Sequence, residues 1–221
     1  SDLALGPGGD VVAVGDQGFI VVGASVEGPF AVRRLDDEEN LGVVLATGRV
    51  DVPHVLGSLN GWVYLGDATG DPSDLERESV APLHELKALA IEPTSDLIVW
   101  ASGSVGRVWR RGSDGAWDRE EIWLPPGLSG CVVAEDECGR IVSSRAFSRL
   151  AMHAEGMLAL FTSSCPAVVV LPSGGCTAFA GLPDVPVERR EEGLIFDLVL
   201  ASGSFLIAAG PKVYRLEIGT R

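Results

Sequence analysis

The sequence predicts an all-β chain assembled from repeated four-stranded antiparallel units, and three observations predict it. Runs of four to eight β-branched and aromatic residues, bounded by Gly, Pro, Asp and Ser, fill the 221 residues, and no stretch holds a convincing 3.6-residue period. Tight turns ahead of apolar strands recur at near-constant spacing. A more polar strand follows each turn pair. The best helix candidate, "LHELKALAIE" from residue 83, has apolar residues at 86, 89 and 90 but stops at Pro93 and alternates equally well as a strand, so it is assigned as a strand.

The turn-and-strand segments are "DQGFIVVG" at Gly18, "LNGWVYLG" at Gly61, "SVGRVWRR" at Gly106, "CPAVVVLP" at Ala167 and "GPKVYRLE" at Lys212, separated by 43, 45, 61 and 45 residues. The strand before each turn repeats as well, in "VVAVG" from Val11, "HVLGS" from His54, "LIVWAS" from Leu97, "MLALFTS" from Met157 and "SFLIAAG" from Ser204. An earlier strand recurs in "LGVVLATG", "LKALAIEP", "RLAMHAEG" and "LIFDLVLA", and a polar fourth strand in "FAVRRLD", "DLERESV", "WDREEIWL" and "VPVERREE". A period of about 44 residues with four strands per unit predicts a β-propeller. Inner strands flanked by neighbouring blades read as continuous apolar runs, while an outer strand facing water carries charge against edge pairing.

The expectation is one five-bladed domain over 1–221, with blades at 1–38, 39–82, 83–125, 149–192 and 193–221. Residues 126–148 form an insertion in which "CVVAED" and "RIVSSR" read as an added hairpin. The fifth unit ends its third strand near Ile218, leaving a last blade without an outer strand and an edge open to strand addition.

Residues 83–113, "LHELKALAIEPTSDLIVWASGSVGRVWRRGS", resemble a WD40-type blade: His84 precedes the first strand, "SGS" ends the second and Trp109 closes the third. The resemblance implies a structural role for His84. Arg110 takes the place of the Asp of the Trp-Asp pair, and Val105 stands where the family has an Asp, so the His–Ser–Asp–Trp network of such blades is incomplete. "AVGDQGFIVVGA" and "GSDGAWDREE" are equally similar to Asp-box and photosystem-assembly-factor propellers, which leaves the subfamily open.

Composition narrows the partners. A net charge of −14 and a pI near 4.5 oppose a phosphate backbone. The basic pairs Arg33-Arg34, Arg110-Arg111 and Arg189-Arg190 are each flanked by acids and read as solvated edge strands, so nucleic acid is not expected as a direct partner. Apolar residues make up 46% and mean hydropathy is +0.25, yet no uncharged apolar run approaches the roughly 20 residues of a membrane span. "SDLALGPGGD" has neither the basic nor the apolar region of a signal peptide, and with no starting Met an upstream segment has room to have been removed. Cys131, Cys138, Cys165 and Cys176 form no C-x-x-C pair, which predicts free thiols in a reducing, cytoplasmic setting; a Cys131–Cys138 bridge is the alternative. Basic residues are nearly all Arg, which fits a GC-rich bacterial source.

No catalytic pattern stands out. His54, His84 and His153 belong to no H-x-x-x-H or H-E-x-x-H motif and sit at strand ends, where structural roles are expected. "GPGG" at 6–9 and "PSGG" at 172–175 read as turns rather than phosphate cradles, and "TSSCP" lacks a nucleophile elbow. The acids of "LDDEEN", 35–40, and "AEDE", 134–137, are consecutive, point in different directions and read as solvated loops. The sequence therefore predicts a non-enzymatic protein-interaction scaffold with no cofactor and no metal. A carbohydrate-binding or glycoside-hydrolase-like propeller is the alternative. Candidate partner-contacting residues are Asp16, Gln17, Asn60 and Arg107 on the turn-rich face, Trp117 and Trp123 on an outer strand, and Glu135, Asp136, Glu137 and Arg140 in the insertion. The remaining tryptophans are expected to pack between blades.

Overall fold

The computed structural model describes residues 1–92, 96–103, 107–120, 134–135, 141–143, 147–153, 156–161, 167–171, 178–181, 195–201, 204–209 and 212–216. It is all-β, with only two single-turn 3-10 segments, Asp16–Gly18 and Pro72–Asp74, among these residues. No helix among them is long and apolar enough to cross a membrane.

The strands form antiparallel meanders. β1 (Asp2–Leu5), β2 (Val11–Val14), β3 (Phe19–Gly23) and β4 (Phe30–Arg34) make the first sheet. β5 (Leu41–Ala46), β6 (His54–Ser58), β7 (Trp62–Gly66) and β8 (Glu76–Ser79) make the second. β9 (Leu86–Ile91), β10 (Val99–Gly103), β11 (Val108–Arg111) and β12 (Trp117–Glu120) make the third. β13 (Ala134–Glu135) and β14 (Ile141–Ser143) pair as a short hairpin within the insertion. β15 (Phe147–His153), β16 (Gly156–Phe161), β17 (Ala167–Leu171) and β18 (Ala178–Gly181) form another four-stranded sheet. β19 (Ile195–Ala201), β20 (Ser204–Ala209) and β21 (Lys212–Leu216) form a three-stranded one.

The turn chemistry is local. At the β2–β3 turn Gln17 and Gly18 have φ of 55° and 72°, and at the β6–β7 turn Gly61 has φ of 83°. These left-handed conformations let the chain reverse within two or three residues. The "GPGG" turn closes through Gly6 N donating to Asp10 O at 2.8 Å and Gly9 N to Gly6 O at 2.9 Å.

The chain divides into two compact units, Ser1–Leu89 and Ala90–Arg221. In the first unit the core lies between the first two sheets. Val12, Val14, Ile20 and Val22 meet Leu41, Val44, Leu56 and Tyr64, all buried. Asp2 reinforces the seam, its Oδ2 accepting from Val44 N at 3.1 Å. The opposite face of the second sheet, with Val43, Val55, Val63 and Leu65, is buried too, and the Leu86 side chain and backbone lie directly over Gly57 and Gly42. A Cβ at Gly57 would meet Val43 Cγ1 at 2.7 Å and Leu86 Cβ at 3.4 Å, and one at Gly42 would meet Leu59 Cδ2 at 2.6 Å and Leu86 O at 3.2 Å, so neither position takes a side chain unless a neighbour moves.

In the second unit Ile98, Val99, Ala101, Val108 and Trp109 are buried, and β15 adjoins both β10 and β19. First strands of successive sheets thus meet in each unit, as β1 meets β5 in the first. Arg110, in the WD40-type Asp position, has its own partner: its Nε and Trp100 Nε1 both donate to Glu92 Oε1, at 3.0 and 2.9 Å.

Two sequence expectations change. Asp2–Leu5 is a first strand that the repeat alignment left out; it precedes "VVAVG" as β5 precedes "HVLGS". In the β15–β18 sheet the strand paired with Ala167–Val170 is Ala178–Gly181, while "VPVERREE" lies outside the described residues. The turn 104–106, "PSGG" at 172–175, all four cysteines and the residues after Leu216 also lie outside the described residues.

Candidate functional site

The site is built at the turn end of the first unit, where the β2–β3 turn, the 35–40 loop and the β6–β7 turn meet. Backbone bonds set the frame: Leu41 N donates to Gly15 O at 3.0 Å and Leu59 N to Asn40 O at 2.8 Å. The loop is thereby held between two hairpin tips.

Side chains complete it. Gln17 N donates to Asn40 Oδ1 at 2.7 Å, and Arg34 Nε donates to Gln17 O at 3.0 Å. Arg34 also meets Glu38 at 3.1 Å and lies over the Phe19 ring, 5.2 Å from its centre. Asn60 Nδ2 donates to Glu39 Oε2 at 2.7 Å. Arg77, on β8, is the hub: its guanidinium reaches Asp37 Oδ2 at 3.3 Å and Glu39 Oε1 at 3.5 Å and stacks on Trp62 at 3.8 Å from the ring centre. Tyr64 Oη donates to the same Asp37 Oδ2 at 2.5 Å.

The acids of 35–40 lie in an exposed loop, as expected, but three of them have partners: Asp37 and Glu39 engage a phenol, a guanidinium and an amide, and Glu38 pairs with Arg34. Asp36 and Asp37 lie in a turn and Glu38 has φ of 54°, so the local backbone of the loop sends neighbouring acids to different partners. An exposed pair is worth little, but a planar guanidinium held by two carboxylates and an indole face is fixed in one orientation.

Burial pushes the Tyr64 phenol above the ordinary tyrosine range, and its hydrogen bond to Asp37 pushes it further. A raised folded-state value contributes stability that is fully present below the ordinary value of about 10 and is lost as pH rises beyond it. Stability is expected to fall from about pH 10 upward, and Tyr64→Phe is expected to flatten that alkaline limb, measured by denaturant titration at stepped pH. An unchanged limb in the variant would count against this reading of Tyr64.

The far end of the same strands is organised differently. His54 is buried at the start of β6; Ala68 N donates to its Nδ1 at 3.3 Å, so Nδ1 is the acceptor and Nε2–H faces Asp10 Oδ2 at 3.3 Å. The imidazole ties the β1–β2 turn to the β7–β8 loop. Among the described residues no group of three or more His, Cys, Asp or Glu side chains is arranged to hold a metal ion.

Of the sequence-predicted residues, the structure brings Gln17 and Asn60 to one loop, with Asp16 exposed in the same turn as Gln17. Arg107 belongs to the second unit, half-buried ahead of β11, where its carbonyl accepts from Gly103 N at 3.0 Å. Trp117 lies half-buried on β12 opposite Arg111, and Glu135 lies on β13 opposite Ile141. Trp123, Asp136, Glu137 and Arg140 lie outside the described residues. Sequence reasoning missed Asp37, Glu39, Trp62, Tyr64 and Arg77 as one cluster. The available signal was an arginine in an acidic outer strand one turn pair away from "WVY".

No protein-family model matches the chain, and no curated protein sequence matches it. Solved structures do. Raptor of Chaetomium thermophilum superposes with a TM-score of 0.64 at 8% identity, over 98% of this chain and 20% of that one. A chain of the mitotic checkpoint complex gives 0.62 at 10% identity, over 95% of this chain and 59% of that one. YCF48 bound to a D1 peptide gives 0.61 at 12% identity, over 98% of this chain and 62% of that one. This chain thus spans a fifth of the first and about three-fifths of the other two. At these identities the likeness shows the fold alone, that of a β-propeller, and leaves the subfamily open.

Proposed function

We propose that this protein is a non-catalytic scaffold, a single propeller domain of five blades over 1–221, that binds a polypeptide partner within a larger assembly. The contact we assign is the turn end built from the β2–β3 turn, the 35–40 loop and the β6–β7 turn. The observation that carries the reading is the pre-ordered polar cluster: Arg77 is held by Asp37, Glu39 and Trp62, while Asp16, Gln17, Asp36, Glu38 and Asn60 stay exposed around it. Side chains already fixed in one rotamer lose little freedom on binding, which favours recognition of an ordered peptide segment. Support comes from the similar folds above, one within a checkpoint complex and one with a peptide bound. A cytoplasmic setting and a protein, not nucleic acid, as partner belong to the same reading.

The test is quantitative co-purification from the native host with the wild-type chain and with Gln17→Arg plus Asn60→Arg. Both positions are exposed, so the variant is expected to fold, and retained partner is expected to fall about tenfold, the effect of losing a modest cluster of contacts. Equal retention would move the contact elsewhere. Deleting residues 129–146 in parallel separates the insertion from the turn end.

A further inference from the structure

The β6–β7 turn carries a reactive pair of residues. The chain has two asparagines, Asn40 and Asn60; Asn40 is followed by the branched Leu41, and Asn60 by Gly61. With no Cβ to shield it, the Gly61 amide nitrogen is the least hindered backbone nucleophile that an asparagine side chain can have beside it. The reaction open to such a pair is intramolecular. The Gly61 nitrogen gives up its proton to base and bonds to Asn60 Cγ, the Cγ–Nδ2 bond breaks, and Nδ2 leaves with a proton as ammonia. A five-membered imide remains, and water adds across one of its two C–N bonds. Opening at Cγ gives aspartate, and opening at the main-chain carbonyl carbon gives isoaspartate. Because nucleophile and electrophile are adjacent in one chain, the local geometry sets the rate.

In the folded turn that geometry opposes each step. Asn60 Nδ2 donates to Glu39 Oε2 at 2.7 Å. Only the amide NH2 can donate to a carboxylate, so the side chain is held one way round, and the group that must depart as ammonia faces an acceptor rather than a proton donor. Ring closure also has to turn the Asn60–Gly61 peptide about the Asn60 Cα–C bond. Leu83 N holds that peptide by donating to Asn60 O at 3.1 Å, and Val80 N and Ala81 N hold the next one by donating to Gly61 O at 3.0 and 3.2 Å. Ser58 Oγ accepts from both Asn60 N and Trp62 N at 3.1 Å. Gly61 has no room on its other side, since a Cβ there would lie 1.8 Å from Ala81 O.

We propose that Asn60 is a deamidation site that the fold keeps closed: it converts to aspartate and isoaspartate through the cyclic imide when Glu39 and the 80–83 segment release the turn, with water as the only other reactant. Conversion needs no partner. Its product sets a second carboxylate against Glu39 where an amide donated, so the 35–40 loop loses its side-chain tie to the β6–β7 tip and Glu39 is left to Arg77, 3.5 Å away. Loss of ammonia makes the change irreversible, and the turn thereby records how often it has opened.

The test is peptide mapping by mass spectrometry after incubation at mildly alkaline pH, with the chain folded or unfolded in urea. The mass gain of amide-to-acid exchange at Asn60 is followed, because Asp114-Gly115 can isomerise only without a change of mass, and Asn40 is the internal reference. Wild type in urea is expected to convert Asn60 about a hundred times faster than folded wild type, the factor of a local opening that breaks several hydrogen bonds. Glu39→Ala removes the acceptor and is expected to speed conversion in the folded chain about tenfold. Glu39→Gln, whose amide oxygen still accepts from Nδ2, is expected to stay within about twofold of wild type. Hydrogen exchange at the β6 and β7 amides shows whether Glu39→Ala has opened the sheet as a whole; if it has, the wild-type comparison of folded and urea-unfolded chain decides. Equal rates in those two states would overturn the proposal, as would an unfolded chain that leaves Asn60 intact. A folded Glu39→Ala chain no faster than Glu39→Gln would overturn the part assigned to Glu39.

Discussion

Replacing Gly61 with alanine is expected to lower stability by about 3–5 kcal/mol and Tm by about 10 °C. Gly61 has φ of +83°, and a Cβ there would lie 1.8 Å from Ala81 O and 2.5 Å from Ala81 C. Both are backbone atoms that cannot swing aside. The segment over Gly61 is pinned: Val80 N and Ala81 N donate to Gly61 O at 3.0 and 3.2 Å, and Leu83 N to Asn60 O at 3.1 Å. Relief of the clash requires breaking those bonds. Gly9→Ala is the control, since Gly9 has φ of +87° with nothing within 4 Å of its Cβ position. It carries the left-handed strain alone, about 1 kcal/mol. Thermal unfolding of both variants separates strain from clash, and equal shifts would show that the 80–83 segment yields freely.

The same turn explains how much of the fold was legible in advance. Asn60-Gly61 and Gln17-Gly18 announce reversals because only certain residues tolerate positive φ, and the apolar runs around them announce strands buried on two faces. Those signals are local, so repeat spacing and strand order came through. Asp2–Leu5 escaped because its following turn is Gly-Pro-Gly-Gly rather than a polar loop, which obscured its place ahead of "VVAVG". The outer strand Ala178–Gly181 escaped because its composition is apolar where the other outer strands are charged. The Arg77 cluster escaped for a different reason. Asp37 and Arg77 are forty residues apart and meet only because the 35–40 loop folds across the outer part of the second sheet, a contact that no local pattern encodes. Gln17 and Asn60 were reachable, being hairpin tips, but their common tie to Asn40 and Glu39 was not.

Charge placement follows the same division. The chain carries −14 overall, yet arginines on the third and fourth strands engage specific groups: Arg34 on β4 with Glu38, Arg77 on β8 with Asp37 and Glu39, Arg110 on β11 with Glu92. A strongly acidic surface repels itself, and these cations offset that repulsion where acids cluster. The basic pairs that composition marks as solvated edges thus also orient side chains. In the first unit that orientation produces the proposed contact surface.

Leu56→Ala is expected to destabilise the first unit by about 3–4 kcal/mol, seen as an early denaturant transition. Leu56 is fully buried, on the face by which the second sheet meets Val12, Val14, Ile20 and Val22, and its removal leaves a void between two sheets whose backbones are held by complete ladders. The strands cannot close the gap without breaking register, so the cavity persists and both the lost transfer energy and the cavity cost are felt. Leu5→Ala makes the same chemical deletion at a site 57% exposed on the first sheet, and it is expected to cost under about 1 kcal/mol. The two variants together measure whether a sheet face is covered, since identical side-chain losses differ only in what lies against them. If Leu5→Ala proved as costly as Leu56→Ala, Leu5 would be buried in solution.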